Sequence, residues 1–277
     1  MADLYIRELG APPSEATERC LIVHGIMGSS QNWLGAARKL TQRFPDWSIQ
    51  LLDLPGHGQS SVSDTAPRLP DITQRISQQL ARDHWQPTIL MGHSFGGKTM
   101  IELSKRYSET PLTLWLLDAP MNAGTLVTGT QTIETILSVV ERLPRPEQRQ
   151  SVTDALVDAG LSTGIAQWMN TNLKRIESGF EWKISPEFIR AALADYLERE
   201  YWDYLATRPE HHVLNCVLAG KATWWRGEVE RSLRRLPNSR LHVLQRAGHW
   251  VHIDDLAGLV QCFDTVHQLG SRTGSST

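Results

Sequence analysis

One short stretch of this sequence has the residue types and spacing of nucleophilic catalysis. Residues 92–96 read Gly-His-Ser-Phe-Gly and match the pattern G-x-S-x-G, in which a serine lies on a sharp turn between a strand and a helix. That turn holds the serine in an unusual backbone conformation, which is tolerable only where the flanking residues are small, and the two glycines supply the clearance. We therefore expect the hydroxyl of Ser94 to be held at the end of a sheet.

The sequence on both sides of Ser94 fits this pattern. Residues 88–91 are a short apolar run after Pro87, which is typical of a buried parallel strand. In residues 95–107 apolar side chains recur among polar ones, which predicts a helix with two glycines in its first turn, where it passes close to neighbouring strands. A serine in a glycine-rich connecting loop is the alternative, and the strand and helix signals argue against it.

Backbone N–H groups near Ser94 could stabilise a negatively charged oxygen. In proteins with such a turn, the oxyanion hole combines the N–H of the residue after the nucleophile, here Phe95, with one from an earlier strand–helix loop. Residues 24–30 follow an apolar run and form a glycine-containing turn of that kind, in which Ile26 is the candidate second donor. We interpret His24 as a structural histidine that fixes this loop through a hydrogen bond.

Other titratable residues also lie at predicted strand ends. Asp118 directly follows the apolar run 112–117, and open α/β sheets place functional groups at the carboxyl ends of their strands. His249 follows the last predicted strand on a glycine-bearing loop, which leaves its imidazole free to reach across the strand ends. Asp53 and His57 lie in a tight turn, where we interpret them as forming side-chain to backbone hydrogen bonds that hold the turn.

Strands and helices alternate along most of the chain, which predicts a parallel, doubly wound α/β sheet with right-handed crossovers. The predicted strands are residues 4–9, at an edge of the sheet, and then 20–23, 49–52, 88–91, 112–117, 213–219 and 240–244. The predicted helices are residues 32–44, 71–84, 95–107, 228–236 and 254–269. We expect residues 1–120 and 212–270 to form this α/β core and residues 271–277 to be a flexible tail.

Residues 121–211 have a different pattern, which predicts a helical cap inserted into the core. Helical segments follow one another there with no convincing strand between them, at residues 130–142, 151–159 and 186–204.

Large apolar side chains are frequent in this cap. They could line a pocket over Ser94 or form a small core of the cap itself, and they are Trp168, Met169, Phe180, Trp182, Tyr201 and Trp202. As candidate substrate contacts we name Trp168 and Trp182 in the cap and Trp250 beside His249.

Composition and charge exclude several classes of protein. The 277 residues suffice for one large α/β domain with an inserted subdomain. A formal net charge of −2 and a pI near 6.6 give no electrostatic reason to bind nucleic acid or an anionic membrane, so we expect a small-molecule substrate. Without a signal peptide, a membrane-spanning run or metal-like cysteine spacing, the chain is interpreted as a cytoplasmic protein with reduced thiols.

Four motifs, in this order, resemble those of the α/β-hydrolase fold family. They are His24-Gly25, Asp53-x-Pro55-Gly56-His57-Gly58-x-Ser60, Gly92-His93-Ser94-Phe95-Gly96-Gly97 and Gly248-His249. The resemblance spans nearly the whole chain apart from the cap. More narrowly, residues 92–98 and 248–252 are similar to the small bacterial esterases, and their mitochondrial relatives, that share a G-H-S-M-G-G-K turn, with Phe95 here in place of Met.

The resemblance implies a catalytic triad of Ser94, Asp118 and His249, in the chain order of the fold. Many members carry the acid a few residues past the glycine that ends the penultimate strand, near Thr223 of this sequence, which is not a carboxylate. The narrower subgroup has an Asp after the preceding strand, which corresponds to Asp118. The remaining candidate acids are Glu228 and Asp254.

The implied reaction is hydrolysis of a small acyl ester through an acyl-enzyme intermediate. His249 takes the proton of Ser94, which attacks the acyl carbonyl while the N–H groups of Phe95 and Ile26 stabilise the oxyanion. Water then releases the acid, and no metal or organic cofactor is needed. Hydrolysis of thioesters or carbon–carbon bonds uses the same groups and stays open, as does a non-catalytic ligand sensor that uses the capped pocket.

Overall fold

A computed structural model describes residues 3–62, 67–124 and 127–273 of the chain. Its strands are β1 (Ile6–Gly10), β2 (Glu18–Val23), β3 (Trp47–Leu52), β4 (Ile89–His93), β5 (Leu112–Leu117), β6 (Leu173–Ile176), β7 (Gly179–Trp182), β8 (His212–Ala219) and β9 (Ser239–Leu244). Its α-helices are α1 (Ser30–Arg43), α2 (Leu69–Arg82), α3 (Phe95–Ser104), α4 (Val127–Arg142), α5 (Arg149–Asp158), α6 (Thr163–Met169), α7 (Pro186–Glu198), α8 (Trp202–Thr207), α9 (Glu228–Arg235), α10 (Val251–Asp254) and α11 (Leu256–Thr273).

The main sheet is mostly parallel, as the alternating strands and helices predict. Its strand order is β1-β3-β2-β4-β5-β8-β9, and every neighbouring pair is parallel except β1 with β3, so that β1 is the predicted edge strand. Val23 of β2 pairs with Gly92 of β4, and Gly92 pairs with Leu116 of β5. Because these three strands end at the same level, the residues that follow them meet at one edge of the sheet.

Helices cover both faces of this sheet, and successive side chains of each central strand point to opposite faces. In β5, Leu114 and Leu116 pack in the apolar cluster that contains side chains of α2, α3 and α9. Trp115 and Leu117 pack in the cluster that contains side chains of α1 and α11, where Trp115 stacks on Phe263 with ring centroids 3.8 Å apart. The doubly wound architecture is therefore confirmed, and burial of each such large side chain contributes about 1.5–3 kcal/mol.

The inserted segment, which we define as residues 127–207, lies between β5 and β8 and has an apolar core of its own. It contains α4 to α8 together with an antiparallel hairpin of β6 and β7. Side chains buried in its core include Leu137, Val152 and Ile189.

The prediction that no strand lies within this insertion was wrong, because it contains that hairpin. Each of its strands has only four residues, too few for alternation of apolar and polar side chains to be recognised. The predicted helix 186–204 is also two helices, since α7 ends before Arg199, whose backbone is extended.

The last helix, α11, is longer than the sequence predicts. It continues to Thr273, so residues 271–273 of the predicted tail are helical, and residues 274–277 lie outside the described residues. Neither this helix nor any other in the described part of the chain is both long and apolar enough to cross a membrane.

Candidate active site

Ser94 lies on a strained turn directly after β4. It precedes α3 with φ +52° and ψ −115°, a conformation that residues with a side chain rarely adopt. A Cβ atom on Gly92 would lie 2.1 Å from the carbonyl oxygen of Gly96, and one on Gly96 would lie 2.5 Å from that of Val23. Because both obstacles are backbone atoms, only glycine fits at these positions. The predicted strand, turn and helix are all present.

His249 and Asp118 are joined by a hydrogen bond. Nδ1 of His249 donates to Oδ2 of Asp118 at 2.7 Å, with the carboxylate 1% exposed and the imidazole 45% exposed. This bond leaves Nε2 of the imidazole to accept a proton. Asp254 instead accepts a hydrogen bond from the N–H of Gly248 at 2.7 Å, and Glu228 begins α9. Of the candidate acids, Asp118 is therefore the one that contacts the imidazole, and Asp254 holds the loop that carries it.

Several N–H groups position Asp118 and satisfy its buried carboxylate. The residue has φ +43° and its N–H donates to the carbonyl of Val217 at 2.7 Å. Its Oδ1 accepts hydrogen bonds from the N–H of Ala219 at 3.1 Å and from Nε1 of Trp224 at 3.3 Å. Trp224 follows Thr223, near which many members of the α/β-hydrolase fold family carry the acid. In this protein the loop after β8 therefore supplies a hydrogen-bond donor to Asp118 instead of a carboxylate. The sequence analysis did not assign this role to Trp224.

His93 fixes the loop that carries His249. Its Nε2 donates to the carbonyl of His249 at 2.7 Å. Burial, followed by the nearby His249 and His252, lowers the pKa of His93 well below its usual value, so the ring is neutral. His252 stacks on Trp33 with centroids 4.0 Å apart, and burial, followed by the nearby imidazole of His249, lowers the pKa of His252 to about 3. Both rings therefore pack as neutral side chains beside the exposed imidazole.

Both predicted oxyanion donors lie beside Ser94. Ile26 and Phe95 line the same cavity as the serine. A Cβ atom on Gly25 would lie 2.9 Å from Nδ1 of His93 and 3.4 Å from Cβ of Ser94, so the loop after β2 passes directly over the turn. Within the described ranges, no hydrogen bond joins the N–H of Ile26 or Phe95 to another residue. Both donors are therefore unpaired.

His24, Asp53 and His57 hold backbone turns. Nδ1 of His24 donates to the carbonyl of Gly25 at 2.7 Å, and its Nε2 accepts the N–H of Leu54 at 3.1 Å. The carboxylate of Asp53 accepts hydrogen bonds from two backbone N–H groups at 2.5 and 2.8 Å. Nδ1 of His57 bonds a carbonyl two residues earlier in the chain at 3.0 Å. The structural interpretation of these residues is confirmed.

Ser94 opens into a mostly apolar cavity of about 320 Å³. The core and the inserted segment both line it, with side chains that include Ile26, Phe95, Ile133, Ile165, Trp168 and Trp250. Among the described residues that line it, none is Asp, Glu, Lys or Arg. Its walls therefore suit an uncharged group.

The aromatic candidates divide between this cavity and other parts of the molecule. Trp168 and Trp250 both line it, with ring centroids 5.8 Å apart. Trp182 does not, because its Nε1 donates to the carbonyl of Leu143 at 2.7 Å and the indole lies against a separate depression of the surface. The predicted substrate contact of Trp182 is corrected accordingly. Other candidates are buried in apolar clusters: Met169, Phe180 and Tyr201.

Lys98 ties α3 to the inserted segment. Its ammonium donates to the carbonyls of Asn122 at 3.0 Å, Tyr196 at 2.8 Å and Arg199 at 2.7 Å, and it lies 4.2 Å from the ring centroid of Tyr196. Burial lowers the pKa of Lys98 to about 8. Its acceptors are 24 to 101 residues away in sequence, and no local pattern indicates such a role.

Together these groups are the parts of nucleophilic acyl transfer. A serine on a strained turn, an imidazole held by a buried carboxylate and two unpaired N–H groups can form and stabilise a tetrahedral oxyanion. Within the ranges described, no group of three or more His, Cys, Asp or Glu side chains has the arrangement of a metal site.

The sequence matches a known family and several of its relatives. The sequence model of the alpha/beta hydrolase family matches residues 20–261. The sn-1-specific diacylglycerol lipase ABHD11 of Mus musculus is 25% identical over 242 residues, which are 84% of this chain and 76% of that protein. A shorter stretch of 83 residues is 42% identical to 2-succinyl-6-hydroxy-2,4-cyclohexadiene-1-carboxylate synthase of Yersinia pestis, covering 28% of this chain and 27% of that protein.

Solved structures share the fold over nearly the whole chain. A marine microorganism esterase has a TM-score of 0.80 at 21% identity, covering 94% of this chain and 98% of that chain. E-2-(acetamidomethylene)succinate hydrolase has a TM-score of 0.72 at 15% identity, covering 95% of this chain and 94% of that chain. At these identities the likeness shows the architecture alone.

Proposed function

Because this chain belongs to the alpha/beta hydrolase family, we propose that it is a serine hydrolase that cleaves small carboxylic esters through an acyl-enzyme intermediate. One observation carries the proposal: the imidazole of His249, held by Asp118 at 2.7 Å, lines the same cavity as Ser94. A sequence relative, the sn-1-specific diacylglycerol lipase ABHD11, supports the same reaction class.

The proposed reaction has two halves that use the same groups. In the first, Nε2 of His249 takes the hydroxyl proton while Oγ of Ser94 attacks the ester carbonyl, and the imidazolium then protonates the departing alcohol. In the second, a water molecule gives a proton to Nε2 and attacks the acyl carbon, which releases the acid and restores the serine. Asp118 stabilises the imidazolium in both halves. The N–H groups of Ile26 and Phe95 each contribute about 3 kcal/mol to the oxyanion.

The cavity favours an uncharged acyl group. Its lining, among the residues described, has no cation that could pair with a substrate carboxylate, and burial of an unpaired carboxylate is strongly unfavourable. A neutral ester is also what the name of the diacylglycerol lipase relative implies for that protein. The name of the cyclohexadiene-carboxylate synthase gives a carboxylate as the product of that protein, and the name of the succinate hydrolase gives a dicarboxylate as the substrate of that one. We therefore favour neutral esters over dicarboxylates.

A series of p-nitrophenyl esters from acetate to a medium-chain acyl group tests the proposal. We expect turnover of the neutral esters, with kcat lowered about 10⁶-fold in Ser94→Ala and about 10⁴-fold in Asp118→Asn. The amide at position 118 would disfavour the Nδ1–H tautomer of His249. Glu228→Gln is the matched control and is expected to leave kcat unchanged.

Two further comparisons, with a charged acyl group and with thioesters, define the substrate class. The p-nitrophenyl butyrate is expected to react at least about tenfold faster than the hemisuccinate of similar length, since the latter brings a carboxylate into the cavity. Wild-type protein that turns over none of these esters, or that prefers matched thioesters by a wide margin, would overturn the assignment as a carboxylic esterase.

A further inference from the structure

The residue after the proposed oxyanion donor has a strained backbone. The N–H of Gly28 donates to the carbonyl of Gly25 at 2.9 Å and closes a four-residue turn with Ile26 and Met27 in the middle. Met27 has φ +57°, and Ile26 does not have a positive φ. This is the pattern of a type II turn, whose third position is normally Gly or Asn. A methionine keeps this conformation only where its surroundings hold it.

The inserted segment holds Met27 from two directions. The Met27 side chain is 1% exposed and packs in the apolar core of that segment, with Met169 and Ile189. The Met27 carbonyl accepts a hydrogen bond from Nδ2 of Asn172 at 2.8 Å, across 145 residues of sequence. Asn172 is itself 1% exposed, and its carbonyl accepts the N–H of Lys183 at 2.8 Å, which fixes Asn172 within the segment.

We propose that Asn172 is a positioning residue for the oxyanion hole. The proposal rests on the proposed function, since it requires the N–H of Ile26 to stabilise the oxyanion. The Met27 carbonyl that Asn172 holds and the Gly28 N–H belong to one peptide group, and this N–H donates to the carbonyl of Gly25. The Gly25 carbonyl in turn shares a peptide group with the Ile26 N–H. Without the amide donor, the peptide between Met27 and Gly28 can tilt and relax the positive φ of Met27, which shifts the Gly25 carbonyl and with it the Ile26 N–H. The inserted segment thus acts on the reactivity of Ser94 as well as on the shape of the cavity.

Asn172→Leu removes the donor with little change in shape. Oδ1 of Asn172 has no hydrogen-bond partner among the described residues, so leucine removes the amide donor from the Met27 carbonyl and from Sδ of Met169, a weak acceptor 3.7 Å from Nδ2. Asn170→Leu is the matched control, because Asn170 and Asn172 lie on the same short 3₁₀-helix, Asn170–Asn172. The amide of Asn170 donates to Oγ1 of Thr153 at 2.8 Å, a contact within the inserted segment that does not involve the turn at Met27.

The rate at which a fluorophosphonate labels Ser94 is the first readout. Phosphonylation develops a negative oxygen in the same place as ester cleavage, and it does not depend on the preferred ester. We expect labelling about 10- to 100-fold slower in Asn172→Leu and unchanged within about twofold in Asn170→Leu. Complete removal of one oxyanion donor typically slows catalysis about 10²- to 10³-fold, and misplacement of a donor has a smaller effect.

The second readout is the division of the effect between kcat and KM on the best ester. A misplaced oxyanion donor lowers kcat by the same factor as labelling and leaves KM within about threefold, because the ester does not gain its negative oxygen until the transition state. Should Asn172→Leu fail to fold, Asn172→Asp keeps the side-chain size and loses the donor when ionised. Its labelling rate relative to wild type at the same pH should therefore recover as pH falls and the carboxyl is protonated.

Full labelling rates in folded Asn172→Leu, or an equal fall in Asn170→Leu, would overturn the role of Asn172. If the wild-type protein is labelled but cleaves no ester, the proposed function fails, and the comparison of labelling rates still decides the role of Asn172.

Discussion

Lys98 is a buried cation whose three hydrogen-bond acceptors are all backbone carbonyls. Charge-assisted hydrogen bonds and the ring of Tyr196 offset the desolvation of the ammonium. Two of the three carbonyls belong to the end of α7 and the residue after it, and the one on Tyr196 also accepts the N–H of Arg199 at 3.4 Å. At the scale of single residues, Lys98 thus joins the helix after Ser94 to a wall of the cavity.

Replacing this lysine tests how much the contact stabilises the fold. We expect Lys98→Met to lower the free energy of unfolding by about 3 kcal/mol, because each buried carbonyl left without a partner costs about 1–3 kcal/mol and relaxation recovers part of the loss. Urea unfolding measures the change, with Lys39→Met on the exposed face of α1 as the control. A loss below about 1 kcal/mol would show that solvent replaces the ammonium.

The sequence predicts the position of a residue best where its neighbours in the chain determine it. The glycines around Ser94 predict its turn, and the glycine after a strand predicts the loop of His249, while the catalytic roles of both stay predictions. The acid Asp118 required a family resemblance, because a carboxylate after a strand also suits a turn. Trp224 and Asn172 were missed, since their partners lie 106 and 145 residues away and only the folded chain brings them together.

The turn between β4 and α3 is the element on which the site depends most directly. A Cβ atom on Gly92 would overlap the backbone of Gly96 and Gly97, with 2.1 Å to the nearest oxygen and 2.7 Å to the nearest nitrogen. Neither contact can be relieved by a side-chain rotation, so the turn itself would have to open.

Alanine substitutions at two glycines make a matched pair. We expect Gly92→Ala to abolish fluorophosphonate labelling of Ser94 and to destabilise the fold by more than about 3 kcal/mol. Gly35→Ala in α1, where a Cβ atom meets nothing within 4 Å, should instead stabilise the protein by about 0.5–1 kcal/mol. Thermal unfolding and labelling measure both, and a normally labelled Gly92→Ala protein would contradict the geometry of this turn.

At the scale of strands and helices, the sequence predicted best those elements whose apolar pattern is long or continuous. Buried runs such as residues 112–117 matched β5 residue for residue, because a strand covered on both faces is apolar throughout. The hairpin of β6 and β7 was missed because four residues per strand are too few for a pattern of apolar and charged side chains to be recognised. Gly179, with φ +121° just after the turn, is the one local signal of it.

At the scale of the whole molecule, buried histidines in the part of the chain that the structure describes make folding sensitive to acid. Burial is the largest cause in each: it lowers the pKa of His24 to about 4, those of His57 and His252 to about 3, and that of His93 well below its usual value. The unfolded chain binds protons at these residues near pH 6.5, and the folded chain does so only at lower pH. Their contribution to stability is therefore complete above about pH 6.5 and is lost as pH falls toward 4.

We expect the free energy of unfolding to fall by several kcal/mol between about pH 7.5 and pH 5, since each depressed group contributes up to about 1.4 kcal/mol per pH unit. Urea unfolding at a series of pH values measures this slope. Burial also lowers the pKa values of His212, His242 and His267, so His57→Gln should reduce the slope by roughly a seventh. His84→Asn, at an exposed position, is the control. Stability that stays constant down to pH 5 would contradict burial of these rings as neutral groups.

The order of the chain separates His249 from the other two residues of the proposed triad. Ser94 and Asp118 both belong to the unit formed by β4, α3 and β5, whereas His249 comes after the whole inserted segment. Gly160, with φ +87° and nothing near its Cβ position, marks an exposed turn between them. A protein supplied as two polypeptides divided at that turn would carry nucleophile and acid on one piece and the imidazole on the other. Hydrolysis would then report that the pieces had assembled, which makes this topology a natural plan for a split-enzyme sensor.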